Sequence, residues 1–95
     1  MSEYRIVFSP RAEQRLADIA DYLYQQKLSQ RFVLDYLQRF EDWLNTLLLQ
    51  FPESGTPMPE FGDNIRRVVY QQYSFVYHLN GHTIEILSVY RENQP

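Results

Sequence analysis

The sequence contains no cysteine, and its two histidines, His78 and His82, stand apart from each other. The absence of cysteine excludes a disulfide framework and a thiolate metal site. Two isolated histidines make a poor cage for a metal ion. We therefore expect neither a metal nor another cofactor, and a fold that is stabilised by packing alone.

Long apolar runs are also missing. The N-terminus, MSEYRIVFSP, starts with polar and charged residues and lacks the apolar stretch of a signal peptide. No segment approaches the roughly 20 apolar residues that a membrane-spanning helix requires. The sequence therefore predicts a cytoplasmic protein without membrane contact.

Positive charge is scarce as well. Nine Lys and Arg stand against twelve Asp and Glu, which gives a net charge of −3. Phosphate binding depends on clustered Lys and Arg side chains that release counterions. This charge balance argues against direct binding of a nucleic acid.

The composition is nevertheless that of a folded domain. Hydrophobic residues make up 44% of the chain and aromatic residues 16%, as in globular proteins. A length of 95 residues suffices for one modest core and is too short for two. We expect residues 1–95 to form a single domain.

The first half predicts one strand and two helices. Residues 3–8 alternate as in a strand, and Ser9 and Pro10 follow as the N-cap and first position of a helix over residues 10–26. Ser29 is the N-cap candidate of a longer helix, and the short connection between the two predicts an antiparallel hairpin. The apolar stripe of the second helix consists of Val33, Tyr36, Leu37, Phe40, Leu44, Leu47, Leu48 and Phe51.

Turn residues divide the second half. Residues 52–64 hold three of the five prolines and two of the three glycines, and they predict one loop. The pair Asn80-Gly81 predicts a type I′ hairpin turn, whose two central residues both need positive φ. This turn sets Tyr77 opposite Ile84. The fold class that follows is α+β: an N-terminal strand, a helical hairpin and a three-stranded antiparallel meander.

A second two-residue turn at Gln71-Gln72 completes the meander. It sets Arg67 opposite Val76 and Val69 opposite Ser74.

Strand alternation then predicts two sheet faces. One face is the expected seat of the helices and carries Val68, Phe75, Tyr77, Leu79, Ile84 and Ile86. We call the other the open face. It carries an apolar strip bordered by Arg67 and Arg91, and the strip consists of Val69, Val76, Leu87 and Val89. One helical layer cannot cover both faces, so the strip predicts a binding site for a partner protein.

The ordered set of segments resembles the RelE/ParE superfamily of toxins from bacterial toxin–antitoxin modules. YRIVFSPRAEQRLADIADYL is similar to the family's opening strand and first helix, and IRRVVYQQYSFVYHLNGHTIEILSV to its closing sheet. The resemblance extends over essentially the whole chain. It implies a cognate antitoxin as partner, a toxin–antitoxin hetero-oligomer, and the strip on the open face as the antitoxin site.

The resemblance also implies one of two mechanisms. Ribosome-dependent members cleave messenger RNA with basic residues, whereas members of the ParE branch poison DNA gyrase. The family's Tyr-Arg-x-x-Tyr strand is YSFVY here, which places Ser74 where the family has arginine. A serine cannot stabilise charge on a scissile phosphate as arginine does.

We therefore expect a gyrase poison without catalytic residues, with Arg67 and Arg91 contacting the target. The alternative is a messenger-RNA endonuclease that uses Arg67, Tyr90 and Arg91. A further alternative is a degenerate member that binds antitoxin without being toxic.

Overall fold

The computed structural model describes residues 3–91, which form two α-helices and a five-stranded sheet. In chain order the elements are β1 (Arg5–Phe8), α1 (Pro10–Gln25), α2 (Gln30–Leu48), β2 (Thr56–Pro57), a 3-10 turn (Pro59–Phe61), β3 (Ile65–Tyr70), β4 (Tyr73–Asn80) and β5 (Thr83–Arg91). The strand order is β1-β5-β4-β3-β2, with β1 parallel to β5 and the other pairs antiparallel. The predicted α+β class is confirmed, although the sheet has one strand more than predicted because β2 forms within the expected loop.

Serine caps begin both helices. The Ser9 hydroxyl accepts a hydrogen bond from the Ala12 N–H, and the Ser29 hydroxyl accepts one from the Phe32 N–H, at 3.0 and 3.1 Å. The predicted apolar stripe of α2 wrongly includes Phe51, because α2 ends at Leu48 and Phe51 is 61% exposed. Phe51 precedes a proline, and the residue before proline is sterically disfavoured in the helical conformation.

The helices cover one face of the sheet and enclose the core. Phe40 lies at its centre, 2% exposed, and its ring makes edge contacts with those of Tyr36, Tyr73 and Phe75 at centroid distances of 5.1 to 5.4 Å. All six sheet residues that were predicted to face the helices belong to this core or pack against it.

The β3–β4 hairpin has the predicted register. Arg67 lies opposite Val76 and Val69 opposite Ser74, and the chain turns at Gln71-Gln72. Gln71 adopts a φ of 58°, in the left-handed region that favours glycine.

The predicted β4–β5 register is wrong. Asn80 pairs with Thr83, so the central turn residues are Gly81 and His82, and Tyr77 lies opposite Ile86 instead of Ile84. Of the two central residues only Gly81 has positive φ, at 61°. This pattern is that of a type II′ turn, which needs glycine only at its first central position.

A β-bulge then changes the face of every later residue in β5. Tyr77 pairs with Ile86 but Val76 pairs with Ser88, so Leu87 is the extra residue. Val89 consequently lies opposite Phe75 and is 1% exposed in the core. Arg91 lies opposite Tyr73, on the helix side. The prediction that Val89 and Arg91 occupy the open face is therefore wrong.

Candidate functional site

An open groove of ≈ 450 Å³ lies between α1 and the C-terminal end of β5. β1 ends at Phe8, opposite Ile86, and α1 then takes its place beside β5. The Ser9 hydroxyl fixes this change of element, because it caps α1 and also donates a hydrogen bond of 3.0 Å to the Leu87 carbonyl. We call this feature the α1–β5 groove.

The lining of the α1–β5 groove comes from one helix face and one strand end. Helix α1 contributes residues spaced so that they share a face, and the sheet contributes four more; together they are Arg15, Asp18, Ile19, Tyr22, Tyr73, Val89, Tyr90 and Arg91. Ile19, Tyr73 and Val89 are buried, whereas Tyr22 and Tyr90 are 48% and 39% exposed. The groove thus has an apolar floor with tyrosines at its rim.

Two guanidinium groups border the groove. Arg15 lies 3.8 Å from the Asp18 carboxylate, and both side chains are about half exposed. Such an exposed pair contributes roughly 1 kcal/mol or less. Arg91 donates a hydrogen bond of 3.0 Å to the side chain of Gln72. With two arginines against one aspartate, the described lining is positive in an acidic chain.

Tyr73 supplies a protonated hydroxyl group to the groove. Burial raises the pKa of Tyr73, the nearby Tyr36 raises it further, and Arg91 lowers it. A tyrosine with a raised pKa stays protonated at neutral pH and acts there as a hydrogen-bond donor. Tyr73 is therefore suited to binding a polar group and not to removing a proton.

The three residues of the predicted nuclease site, Arg67, Tyr90 and Arg91, do not line one common site. Tyr90 and Arg91 line the α1–β5 groove, whereas Arg67 lines a separate hollow beside α2. Arg67 pairs with Val76 on one side of β4 and Arg91 pairs with Tyr73 on the other. Strand spacing and rise put their Cα atoms about 14 Å apart, and the two side chains start from opposite faces.

The predicted antitoxin strip is only partly exposed. Val69 is 44% exposed and Leu87 is half-buried on the open face. Val76 is 7% exposed because it lies in a central strand between Arg67 and Ser88. Val89 is in the core. The expectation of a four-residue exposed strip is therefore wrong, and Val69 and Leu87 remain as accessible members.

Arg15 and Tyr22 are groove residues that the sequence did not single out. They lie seven positions apart and so share a helix face, which is a signal that the sequence carries. Their nearness to β5 depends on long-range packing that no local pattern specifies.

Comparison with known proteins gives the family. A family model described as the ParE toxin of the type II toxin–antitoxin system parDE matches residues 6–94. The chain belongs to the ParE toxin family. This match confirms the resemblance to the RelE/ParE superfamily and its ParE-like branch. A search of curated protein sequences finds no match.

Two solved structures share the fold of this ParE-family chain. The chromosomal ParDE system from P. aeruginosa has a TM-score of 0.76 at 19% identity, over 96% of this chain and 98% of that one. The toxin–antitoxin complex RelBE2 from Mycobacterium tuberculosis has a TM-score of 0.60 at 19% identity, over 94% of this chain and 98% of that one. At such identities the likeness concerns the fold alone.

The described part of this ParE-family chain contains neither a metal-binding cluster nor a membrane-spanning helix. Within residues 3–91, no three or more His, Cys, Asp or Glu side chains are grouped so that they could hold a metal ion. In the same part of the chain, no helix is long and apolar enough to cross a membrane.

Proposed function

We propose that this ParE-family chain is a toxin that acts in the cytoplasm by binding DNA gyrase and does not cut RNA. The observation that carries the proposal is the separation of Arg67 from Tyr90 and Arg91. Cleavage of a phosphodiester requires positive groups arranged around one phosphate. The ParE branch that the chain resembles poisons gyrase, which supports this choice of target.

The α1–β5 groove is the proposed gyrase contact. Arg91, the target contact predicted from the sequence, borders it together with Arg15 and Tyr22. Tyrosine and arginine are among the residue types that most often dominate the binding energy of protein interfaces. Arg67, the other predicted target contact, lies across β4 and is not part of this proposed surface.

A cognate antitoxin is the proposed second partner, bound at the open face around Val69 and Leu87. Both side chains are accessible apolar groups on a sheet face that carries no helix. The ParDE and RelBE2 structures, which share the fold, come from toxin–antitoxin systems and support a hetero-oligomer of this kind.

A ribosome-dependent messenger-RNA endonuclease is the second candidate. The observation in its favour is that Tyr90 and Arg91 share the groove with Arg15. Against it, Ser74 stands at the family's arginine position and is 0% exposed, so the Ser74 side chain cannot contact an RNA.

The test is expression in cells that lack the antitoxin. The wild-type chain should induce the DNA-damage response before protein synthesis declines. The double variant Tyr22→Ala/Arg91→Ala should lose this effect, whereas a matched control, Tyr24→Ala/Arg39→Ala, changes exposed residues outside the groove and should keep it. Early translation arrest with cleaved messenger RNA would favour the second candidate instead.

A further inference from the structure

Tyr73 is a buried residue whose hydroxyl group has no partner among residues 3–91. Tyr73 is 8% exposed, and its ring packs against that of Phe40 at a centroid distance of 5.3 Å. The residue belongs to the lining of the α1–β5 groove, and its hydroxyl group forms no hydrogen bond with another described residue. Buried hydroxyl groups in folded proteins nearly always have a hydrogen-bonding partner. The hydroxyl group of Tyr73 is therefore available to a group that enters the groove from a binding partner.

Arg91 lies beside Tyr73 and has no acidic partner in the described chain. The two residues are paired across β4 and β5, and the positive charge of Arg91 lowers the pKa of Tyr73. The Arg91 guanidinium donates one hydrogen bond, to the neutral side-chain oxygen of Gln72, and forms no ion pair within residues 3–91. Because a guanidinium carries five N–H donors in a planar fork, Arg91 can also bind both oxygens of a carboxylate.

The acidic residue that lines the groove is not the partner of these two groups. Asp18 accepts a hydrogen bond of 3.0 Å from the Gln14 side-chain amide and lies 3.8 Å from the Arg15 guanidinium. Both neighbours belong to α1, at the helical spacings of four and three residues. The Asp18 carboxylate therefore binds side chains of its own helix, and Tyr73 and Arg91 on the strand side remain for a carboxylate from outside.

The rest of the groove suits a protein segment better than a nucleic acid. Its floor contains Ile19 and Val89, which are buried and apolar, and the rings of Tyr22 and Tyr90 lie at its rim. A large apolar side chain beside an acidic one would bury this floor, which stabilises a complex. A phosphate backbone instead requires many clustered basic residues, whereas this chain has a net charge of −3.

We propose that the α1–β5 groove recognises an acidic residue of gyrase with a large apolar residue next to it, a claim that rests on the proposed function. The carboxylate accepts hydrogen bonds from the Tyr73 hydroxyl group and the Arg91 guanidinium, and the apolar side chain packs on Ile19 and Val89. Hydrogen bonds to a charged group are stronger than those between neutral groups. Tyr73 and Arg91 therefore determine which segment of the target is bound.

The affinity of the purified chain for purified gyrase without DNA tests the contact of Tyr73. Tyr73→Phe removes only the hydroxyl oxygen and should raise the Kd about tenfold or more. It should not lower the thermal unfolding midpoint, because this hydroxyl group has no partner within residues 3–91. Tyr24 is 42% exposed and lies outside the groove, so Tyr24→Phe is the matched control and should leave the Kd unchanged. Equal Kd values for Tyr73→Phe and the wild-type chain would overturn the proposal while gyrase binding stands.

A double-mutant cycle tests whether Tyr73 and Arg91 bind the same carboxylate. Arg91→Gln should raise the Kd about tenfold or more, whereas Arg39→Gln, a change of an exposed arginine outside the groove, should not. Because both groups contact one acceptor, Tyr73→Phe/Arg91→Gln should raise the Kd by less than the product of the two single effects. A combined effect equal to that product would contradict a shared carboxylate.

The same measurements distinguish the other occupants of the groove. An effect of Tyr73→Phe that appears only when gyrase is bound to DNA would assign the recognised group to a DNA phosphate and overturn the proposal. Self-association of the wild-type chain in sedimentation, lost in Tyr73→Phe, would assign the groove to a second copy and also overturn it. A wild-type chain that neither binds gyrase nor inhibits supercoiling would overturn the proposed function and this proposal together.

Discussion

The hydroxyl group of Tyr77 connects the sheet to the loop of residues 52–64. It donates a hydrogen bond of 2.7 Å to the Pro52 carbonyl and accepts one of 3.1 Å from the Gly55 N–H, and the side chain is fully buried. A Cβ atom at Gly55 would lie 2.7 Å from this hydroxyl oxygen and 3.0 Å from the Arg67 carbonyl oxygen. Glycine is therefore required there, and the loop is held where β2 begins.

Replacing Tyr77 by phenylalanine should destabilise the fold by about 1–3 kcal/mol, because a buried N–H and C=O would lose their partner. The free energy of unfolding, measured by urea denaturation at neutral pH, checks this. An unchanged denaturation midpoint would show that the hydrogen bonds of Tyr77 contribute nothing.

The Tyr77 hydroxyl group should also lower the free energy of unfolding in alkaline solution. Burial raises the pKa of Tyr77 above its ordinary value of 10.0. Above pH 10 the unfolded chain therefore loses this proton before the folded chain does, and stability falls as pH rises. Because Tyr77→Phe lacks the group, the difference in unfolding free energy between the two proteins should narrow above pH 10. A difference in unfolding free energy that does not change with pH would contradict the raised pKa of Tyr77.

Gln71 is strained by its positive φ of 58°. Glycine adopts this conformation without steric cost, so Gln71→Gly should stabilise the protein by up to about 1 kcal/mol. Gln72 does not have positive φ, and Gln72→Gly should instead destabilise it. Thermal unfolding of both variants tests whether Gln71 is the strained residue of the turn. Changes in stability of the same sign for the two variants would contradict this.

At the scale of elements, both helices and the β3–β4 hairpin could be predicted from the sequence. Apolar spacing and serine caps are local signals, and α1 and α2 begin at the predicted residues. The register of β4 with β5 could not be predicted, because a turn at Asn80-Gly81 and one at Gly81-His82 both suit the local sequence. The bulge at Leu87 is set by the burial of Val89 against Phe75, which is a long-range effect.

Phe40 tests how α2 packs on the sheet. Its side chain is 2% exposed, and Phe40→Ala should cost about 3–5 kcal/mol of unfolding free energy as a large buried aromatic is removed. Phe32 lies on the same helix and is 46% exposed, so Phe32→Ala is the matched control and should cost far less. Equal denaturation midpoints for the two variants would show that the core of α2 is misassigned.

At the scale of the whole molecule, the candidate site was only partly predictable. Tyr90 and Arg91 were identified from their place at the end of the last strand, and they do share a groove. Arg67 was grouped with Arg91 because a regular strand would have put both on the open face. The bulge moves Arg91 to the helix side, where α1 brings Arg15 and Tyr22 beside it.

The charge distribution of the whole chain bears on its mechanism. A net charge of −3 gives little attraction to ribosomal RNA, and Arg67 lines a different hollow from Arg15 and Arg91. Recognition of a protein surface needs complementary shape and complementary hydrogen-bonding groups, and it is compatible with a net negative charge. This charge distribution therefore suits a protein target better than an RNA target.

The most direct measurement is the amount of cleaved DNA that purified gyrase accumulates when the purified chain is added. We expect trapped cleaved complex, or inhibited supercoiling, that increases with the concentration of the chain and is lost in Tyr22→Ala/Arg91→Ala. Messenger RNA in a translating extract should stay intact. Unaffected gyrase together with codon-positioned messenger-RNA cleavage would contradict the proposed function.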